Sequence, residues 1–427
     1  MSHLRPSYCF CDDAPGVQVW TPAVTSPQSQ GLSGRELQQL RQAVRFAMAV
    51  ESGDPALPAD LGEVDAARFA HAVAKHRLGI CLAPHLEALN VPAEAVRVIR
   101  SQARRSRMAA MPVAAGSIEV SAALSDAGIR VLIIKGCALA VQTTGDFAAR
   151  GAGDIDALVH PDDVQAAAAA LERIGFRRGP YTCTRDFHSR QWRYARWTTY
   201  EFSLGRGPLG IDLHWSLTNV RSALPVFDDL WRRRDYVSMK GRLIPTLDLP
   251  DALDHSCAHS LKDEWWSIRS LVDIDRLARQ LPVGDRQRLM DSRAVQLTAP
   301  VALDATQSRY LVPLATNRAD DAARVRLTAD RAQHLLEPDL SHRWTPGRAW
   351  SWHRQRTELA SVPSDWLRHV AVSILPPCAL TNPVTGRELP FAAAIGSRLR
   401  HVAGRLAGAP DTAAAVSASQ LHETPGR

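Results

Sequence analysis

Apolar residues recur at helical spacing through the first part of the chain. From Ser33 onward, segments such as SGRELQQLRQAVRFAMAVE and AEAVRVIRSQARRSRMAA carry apolar side chains about three to four positions apart. Ser and Gly at the start of the first segment are typical of a helix N-terminus. The pattern predicts an N-terminal helical region over residues 33–127. Residues 1–32 are rich in Pro, Ser and Gly without a period, and they predict a flexible arm.

The period changes at Gly128. The run IRVLIIKG is short, branched and apolar, which predicts a buried strand. CALAVQTTG then predicts a helix, GDIDALVH a second strand and PDDVQAAAAALERIGF another helix. The Arg- and aromatic-rich stretch that ends at GIDLHWSL predicts strands three to five. This order over residues 128–240 predicts an α+β (mixed α/β) fold, in which helices pack on one side of a small sheet.

Helical spacing returns after residue 240 and predicts a C-terminal helical region over residues 241–345. Residues 346–406 contain many Trp, Arg and Pro and follow no single period, whereas residues 407–427 predict a disordered tail. The chain has 427 residues, more than the roughly 250 to 300 at which a single core stops growing. Several regions are therefore expected.

The net charge of +7 comes from 51 Lys and Arg against 44 Asp and Glu, which suits a polyanionic ligand such as a nucleoside triphosphate. It is too modest to predict a nucleic-acid partner, although it does not exclude one. The seven cysteines are scattered, as in a protein with reduced thiols. Neither a signal peptide nor a run of about 18 apolar residues is apparent, so we expect a cytoplasmic protein without a membrane partner. Oligomeric state leaves no mark on the sequence.

Asp154 and Asp156 are separated by one residue on a predicted strand. Because side chains alternate along a strand, both carboxylates should lie on one face. Two carboxylates held this close repel unless a cation lies between them, and Mg²⁺ or Mn²⁺ with oxygen ligands is the usual solution. Replacing either one should then relieve repulsion in the metal-free protein. The alternative is a polar strand end in solvent.

Asp212 lies on another short predicted strand, between Ile211 and Leu213. An unpaired carboxylate among apolar neighbours is costly, which favours a role for this side chain. Three carboxylates on adjacent strands would allow a two-metal site, in which one ion activates the attacking oxygen and the other stabilises the leaving group.

These residues resemble a known family. The run LIIKGCALA, an Arg shortly before GDIDALV, a helix that ends in Gly-Phe, and IDLHW are similar to the uncharacterised nucleotidyltransferase family of the DNA polymerase β-like superfamily. The matching positions are Lys135, Gly136, Arg150, Asp154, Asp156, Gly175, Phe176, Asp212, His214 and Trp215. A later helix also resembles the family, at His259, Lys262, Trp265 and Asp273, although Asp263 stands where the family often has His.

The resemblance implies a polymerase β-like nucleotidyltransferase sheet between helical regions, and a metal-dependent enzyme. Asp154, Asp156 and Asp212 would be its catalytic and metal-binding residues. The reaction would move a nucleoside monophosphate from a nucleoside triphosphate, with ATP as the expected donor, to an unidentified acceptor hydroxyl, and would release pyrophosphate. The acceptor would be a small molecule, a peptide or a protein. The alternatives are a catalytically weak nucleotide-binding scaffold and a nucleotidyltransferase that modifies RNA or DNA.

Four further residues are candidates for nucleotide binding. If the resemblance holds, the Lys135 ammonium replaces a family hydroxyl at the phosphates, and Gly136 permits close backbone approach. Arg150 would steady the triphosphate or pair with an aspartate. Lys262 would reach phosphate or base from a helix. The alternatives are an exposed charge for Lys135 and ordinary packing for Lys262.

Several neighbouring residues stay open. The sequence does not decide whether His214, which shares the strand parity of Asp212, lines the active site as a proton shuttle or supports it from behind. The same question applies to the arginines of RDFHSRQWRYARW, for which a solvated strand face is the alternative: Arg185, Arg190, Arg193 and Arg196.

Overall fold

The computed structural model describes residues 34–56, 59–178, 186–315, 357–380, 388–396 and 399. The predicted arm over residues 1–32 and the predicted tail over residues 407–427 lie outside this range. So do Arg185 and the end of the predicted C-terminal helical region beyond Ala315.

Four helices form the N-terminal part of the described chain: α1 (Gly34–Ser52), α2 (Ala66–Lys75), α3 (Gly79–Leu82) and α4 (Ala93–Asp126). The Asp65 side chain starts α2 by accepting a hydrogen bond of 2.9 Å from the backbone N–H of Arg68. Leucines and alanines of α1 to α3 then pack into one apolar cluster with the first turns of α4.

The middle of the chain forms a mixed five-stranded sheet. Its elements are β1 (Val131–Ile134), α5 (Gly136–Thr144), β2 (Asp154–Val159), α6 (Val164–Arg173), β3 (Arg177–Arg178), α7 (Arg190–Thr198), β4 (Glu201–Arg206) and β5 (Leu209–His214). The strand order is β1-β2-β5-β4-β3. Only β2 and β5 run parallel, and the other neighbours are antiparallel. The predicted α+β fold is confirmed.

The two faces of this sheet meet different surroundings because side chains alternate along each strand. One face packs on α4 and α6 through Val131, Ile133, Ile155, Ala157, Ile211 and Leu213. The opposite face carries Leu132, Ile134 and Leu158, which join the core of the C-terminal helices. Asp154, Asp156 and Asp212 have the parity of this second face, so they point toward those helices.

The interpretation of RDFHSRQWRYARW as a strand is wrong, since residues Arg190–Thr198 form α7. The Ser189 side chain caps this helix by accepting a hydrogen bond of 2.9 Å from the Trp192 backbone N–H. Trp192, Ala195 and Thr198 are buried at intervals of three residues. The apolar residues of the segment therefore form a helical stripe, which outweighs the apparent alternation of its arginines.

The C-terminal part contains α8 (Phe227–Arg233), a hairpin of β6 (Asp235–Met239) and β7 (Arg242–Thr246), α9 (Leu249–Lys262), α10 (Ile268–Gln280), α11 (Arg286–Leu289), α12 (Arg293–Thr306), α13 (Val312–Ala315) and α14 (Pro363–Ile374). Short 3₁₀ turns lie at Val283–Asp285 and Pro377–Leu380. Ile268 and Val272 of α10 pack into the N-terminal apolar cluster, so α10 connects the two helical parts.

The helix α4 has 34 residues and is, within the described chain, long and apolar enough to cross a membrane by length and composition. The sequence interpretation missed this stretch. In the structure 44% of its most apolar window is buried, and core helices of soluble proteins have the same properties. The absence of a membrane partner stays a prediction.

Candidate active site

A cavity of about 190 Å³ lies between the second face of the sheet and the helices α9 and α10. It is lined by a mixture of acidic and basic side chains: Arg77, Lys135, Arg150, Asp154, Asp156, Glu201, Asp212, His259, Lys262, Asp263, Arg269 and Asp273. Every catalytic and nucleotide-binding candidate from the sequence lies in this lining, Gly136 included.

The three aspartates are brought together by the sheet register. Asp154 and Asp156 share a face of β2, and Asp156 pairs with Asp212 across the parallel strands β2 and β5. In-register neighbours on adjacent strands point to the same face, so all three carboxylates reach the cavity. Among the residues the structure describes, no three His, Cys, Asp or Glu side chains are already arranged to hold a metal ion.

Asp156 is neutralised by two cationic partners. Its Oδ1 lies 3.3 Å from Lys135 Nζ and 3.2 Å from His214 Nε2. Burial alone would raise the pKa of this carboxyl, but Lys135 and His214 outweigh it and hold the pKa well below its usual range. The expected repulsion between the two β2 carboxylates therefore does not describe Asp156.

His214 lies behind the carboxylates and is fully buried. Its Nδ1 is 3.0 Å from Glu201 Oε2, while its Nε2 faces Asp156. Burial lowers the pKa of the imidazole, but Glu201 and Asp156 outweigh this effect and raise that pKa to about 9. A protonated His214 thus bridges two carboxylates. It is not part of the cavity lining, so it supports the site rather than facing a ligand.

For Asp212 and Asp154, unlike Asp156, the surroundings raise the pKa of the carboxyl group. Burial, followed by Glu201, Asp154 and Asp156, raises the pKa of Asp212 to about 7. The Ser203 hydroxyl donates a hydrogen bond of 2.6 Å to Asp212 Oδ1. The surrounding protein and the neighbouring Asp156 also raise the pKa of Asp154. Carboxylate oxygens whose negative charge is only partly compensated suit Mg²⁺ in their chemistry, although the described side chains are not arranged as a formed metal site.

Lys135 occupies a strained turn between β1 and α5. Its backbone has φ 53° and ψ −150°, a region that non-glycine residues rarely adopt. Such strain costs about 1–3 kcal/mol and is concentrated at functional sites. Gly136 follows at φ 46°, and both residues line the cavity at the N-terminus of α5. The alternative of an exposed Lys135 is wrong, since its side chain is only 15% exposed.

Arg150 pairs with neither Asp154 nor Asp156. Its Nε donates a hydrogen bond of 2.7 Å to Asp273 Oδ2 on α10, and the two side chains are 12% and 3% exposed. This buried ion pair connects the loop before β2 to the C-terminal helices. Arg150 also lines the cavity, so the pairing leaves contact with a ligand open.

Lys262 and Trp265, which the sequence placed on one helical side, separate in the structure. Lys262 Nζ lines the cavity and donates a hydrogen bond of 3.0 Å to Tyr200 Oη. Trp265 follows the end of α9 and is buried, where its Nε1 donates to Thr298 Oγ1 at 3.1 Å. Lys262 therefore stays a candidate for ligand contact, whereas Trp265 belongs to the core.

The described arginines of α7 do not line the cavity. Arg193 is exposed, Arg196 pairs with Asp162 at 2.6 Å, and Arg190 lies 3.7 Å from Glu388. Sequence reasoning in turn missed three charged cavity residues from distant elements: Arg77, Glu201 and Arg269. For Glu201 a signal was available in part, since it starts the strand TYEFSL that precedes GIDLHWSL.

A protein-family model described as uncharacterised nucleotidyltransferase matches residues 62–306, more than half of the chain. No curated protein matches the chain. The matched range runs from α2 to α12 and contains the whole cavity lining. The family, the fold and the carboxylates on β2 and β5 agree, and the chain belongs to this family of uncharacterised nucleotidyltransferases.

Proposed function

We propose that the protein transfers a nucleoside monophosphate from a nucleoside triphosphate to an acceptor hydroxyl in a reaction that needs Mg²⁺ and releases pyrophosphate. The proposal depends mainly on one observation. Asp154, Asp156 and Asp212 open from neighbouring parallel strands into the cavity that also contains the Lys135–Gly136 turn. ATP is the first donor to test, and the acceptor is a small molecule, a peptide or a protein.

Each residue of the site would have a role that follows from its position. Bound Mg²⁺ would neutralise phosphate oxygens and orient the donor, and its ligands would be Asp154, Asp156 and Asp212. Lys135 and the backbone N–H groups at the start of α5 would bind phosphate oxygens. Asp212 would orient the acceptor hydroxyl and accept its proton. His214, which lies outside the cavity lining, and Lys135, which lies in it, both contact the Asp156 carboxylate and would hold it in place.

Calorimetric titration of ATP, GTP, CTP and UTP, with and without Mg²⁺, tests this function. We expect one triphosphate to bind only with Mg²⁺ and Asp154→Asn to abolish that binding. Asp162→Asn is the matched control, because Asp162 is exposed and lies outside the cavity. A triphosphate that binds would then be supplied with an α-phosphate label to screen for acceptors. If the wild type binds none of the four, the function is wrong.

A nucleotide-binding scaffold with weak catalysis is the second candidate. The contacts of Lys135 and His214 favour it, because they neutralise a carboxylate that an active site would offer to a metal. Binding without release of pyrophosphate, in the presence of every acceptor tried, would support the scaffold. A nucleotidyltransferase acting on RNA or DNA would instead bind oligonucleotides with a steep salt dependence.

A further inference from the structure

Arg269 differs from Lys135 and Arg150 in forming no ion pair with a residue that the structure describes. It lies in the first turn of α10 and lines the cavity. Its Nε is buried and forms no hydrogen bond with any residue that the structure describes. One Nη atom lies 3.5 Å from the Gly151 carbonyl oxygen, which makes at best a weak hydrogen bond.

The carboxylate that lies four residues later on the same side of α10 pairs with a different arginine. Asp273 Oδ2 accepts the hydrogen bond of 2.7 Å from Arg150, and Asp273 Oδ1 forms no hydrogen bond with any residue that the structure describes. Arg150 and Arg77 add positive charge nearby. Burial, followed by these two arginines, lowers the pKa of Arg269 well below its usual value. Asp273 and Asp154 offset these effects only in part, so the Arg269 guanidinium is a poorly compensated cation in the cavity.

The position of Arg269 indicates which anion it would bind. An Nη atom of Arg269 lies 3.5 Å from the carbonyl oxygen of Gly151, which is three residues before Asp154 in the loop that leads into β2. Asp212 is level with Asp156 in the register of the parallel strands, further along β2. Asp154 therefore lies between the loop that Arg269 contacts and the level of Asp212. Arg269 and Asp212 therefore occupy opposite ends of the site.

We propose that Arg269 binds the β- and γ-phosphates of the donor nucleoside triphosphate. The inference depends on the proposed function, in which Asp212 marks the acceptor end and the opposite end receives the leaving group. In the reaction the acceptor oxygen forms a bond to the α-phosphorus. The bond between the α-phosphorus and the oxygen that bridges it to the β-phosphorus breaks. The electron pair leaves with pyrophosphate, and the acceptor proton passes to Asp212.

Guanidinium chemistry suits this role. The planar fork of Arg donates two parallel hydrogen bonds to phosphate oxygens, and its charge offsets the charge that develops on the leaving pyrophosphate. Half-buried Arg269 would offer its donors from the wall of the cavity, where such contacts are stronger than in bulk water.

A phosphate series tests the inference with the full-length protein. The triphosphate that binds the wild type most tightly is titrated in Mg²⁺ together with its diphosphate and monophosphate. The variants are Arg269→Met, Arg269→Lys and the control Arg193→Met, which removes an exposed arginine of α7. Arg269→Met should weaken triphosphate binding by about 10- to 100-fold, as for lost hydrogen bonds to charged groups. Monophosphate binding should stay within about twofold of the wild type.

Two further readouts separate ligand binding from a structural role. Without nucleotide, Arg269→Met should melt at the same temperature as the wild type or higher, because it removes a poorly compensated charge whose ionised form burial disfavours. Arg269→Lys keeps the charge but loses the fork, so its triphosphate affinity should fall between those of wild type and Arg269→Met.

Different outcomes overturn different parts of the proposal. If the wild type binds no triphosphate, the proposed function fails and this inference fails with it. If the wild type binds but Arg269→Met binds equally well, only the role of Arg269 is wrong. Equal weakening of monophosphate and triphosphate also overturns it, since Arg269 would then contact the nucleoside, the α-phosphate or the fold. A melting temperature well below that of Arg193→Met would make the residue structural.

Discussion

Asp156 and Asp212 face each other across β2 and β5, yet removing their charges should change stability in opposite directions. For Asp212, burial and the neighbouring carboxylates raise the pKa from 3.8 to about 7. A shift of about three pKa units, at about 1.4 kcal/mol each, means that ionised Asp212 destabilises the metal-free fold by up to about 4 kcal/mol. Asp212→Asn removes this cost and retains an oxygen that accepts from Ser203.

The stability gained by Asp212→Asn should depend on pH. Because the pKa of Asp212 is raised on folding, the folded state binds more protons than the unfolded state between pH 3.8 and about 7. Stability is lost over that window as pH rises. The advantage of Asp212→Asn over the wild type should therefore be small at pH 4 and grow by about 4 kcal/mol at pH 8.

Asp156→Asn should instead destabilise the protein at neutral pH. The substitution leaves Lys135 without its carboxylate and the buried His214 with Glu201 alone, a loss of about 3–5 kcal/mol for a broken buried ion pair. The pKa of Asp156 is lowered on folding, so its contribution is present at neutral pH and is lost as pH falls below 3.8. The simple expectation from the sequence, that either β2 carboxylate can be removed without loss, does not hold for this one.

Urea unfolding in the presence of a metal chelator at pH 4, 6 and 8 tests both predictions. It measures the change in the free energy of unfolding for Asp212→Asn and for Asp156→Asn. Asp162→Asn serves as the control for loss of an exposed carboxylate. At pH 8 the order of stability should be Asp212→Asn above the wild type and its control, with Asp156→Asn lowest. Destabilisation by Asp212→Asn at pH 8 would refute the reasoning, because it would mean that a cation already compensates this carboxylate.

Three further changes test features around the site. Lys135→Gly should be more stable than Lys135→Ala by about 1 kcal/mol in urea unfolding, because glycine adopts the strained turn freely; equal stabilities would contradict the strain. Arg150→Met leaves Asp273 buried without its partner and should lower the free energy of unfolding by about 3–5 kcal/mol, whereas an unchanged midpoint would show that water reaches the pair. Burial lowers the pKa of His76 from 6.5 to about 3, so stability should fall by about 1.4 kcal/mol per pH unit as pH drops below 6.5, and His76→Gln should flatten that slope.

Local periodicity was enough to predict much of the candidate active site. Alternation along β2 was enough to place Asp154 and Asp156 on one face, and the apolar neighbours of Asp212 marked it as unusual. The pairing of Asp156 with Asp212 was not available from either segment alone, since a register shift of one residue would turn one of them away. The resemblance to the family supplied that connection.

The features that sequence reasoning missed depend on tertiary structure. Glu201 joins the site because β4 places it opposite His214. Arg77 follows α2 and Arg269 begins α10, and only the packing of the two helical parts brings them to one cavity. The helix α7 is a different case, because Ser189 and the spacing of Trp192 and Ala195 were local signals of a helix. In that segment the helical spacing of the buried residues outweighs the apparent alternation of the arginines.

The free protein carries two poorly compensated charges of opposite sign in one cavity. Carboxylates outweigh His214 around Asp212, and burial with two arginines outweighs Asp273 and Asp154 around Arg269. Burial therefore penalises both charges in the empty site. A ligand that brings a cation to the acidic end and an anion to the basic end would relieve both at once. A nucleoside triphosphate with bound Mg²⁺ has this distribution of charge, so the proposed donor would relieve both charges.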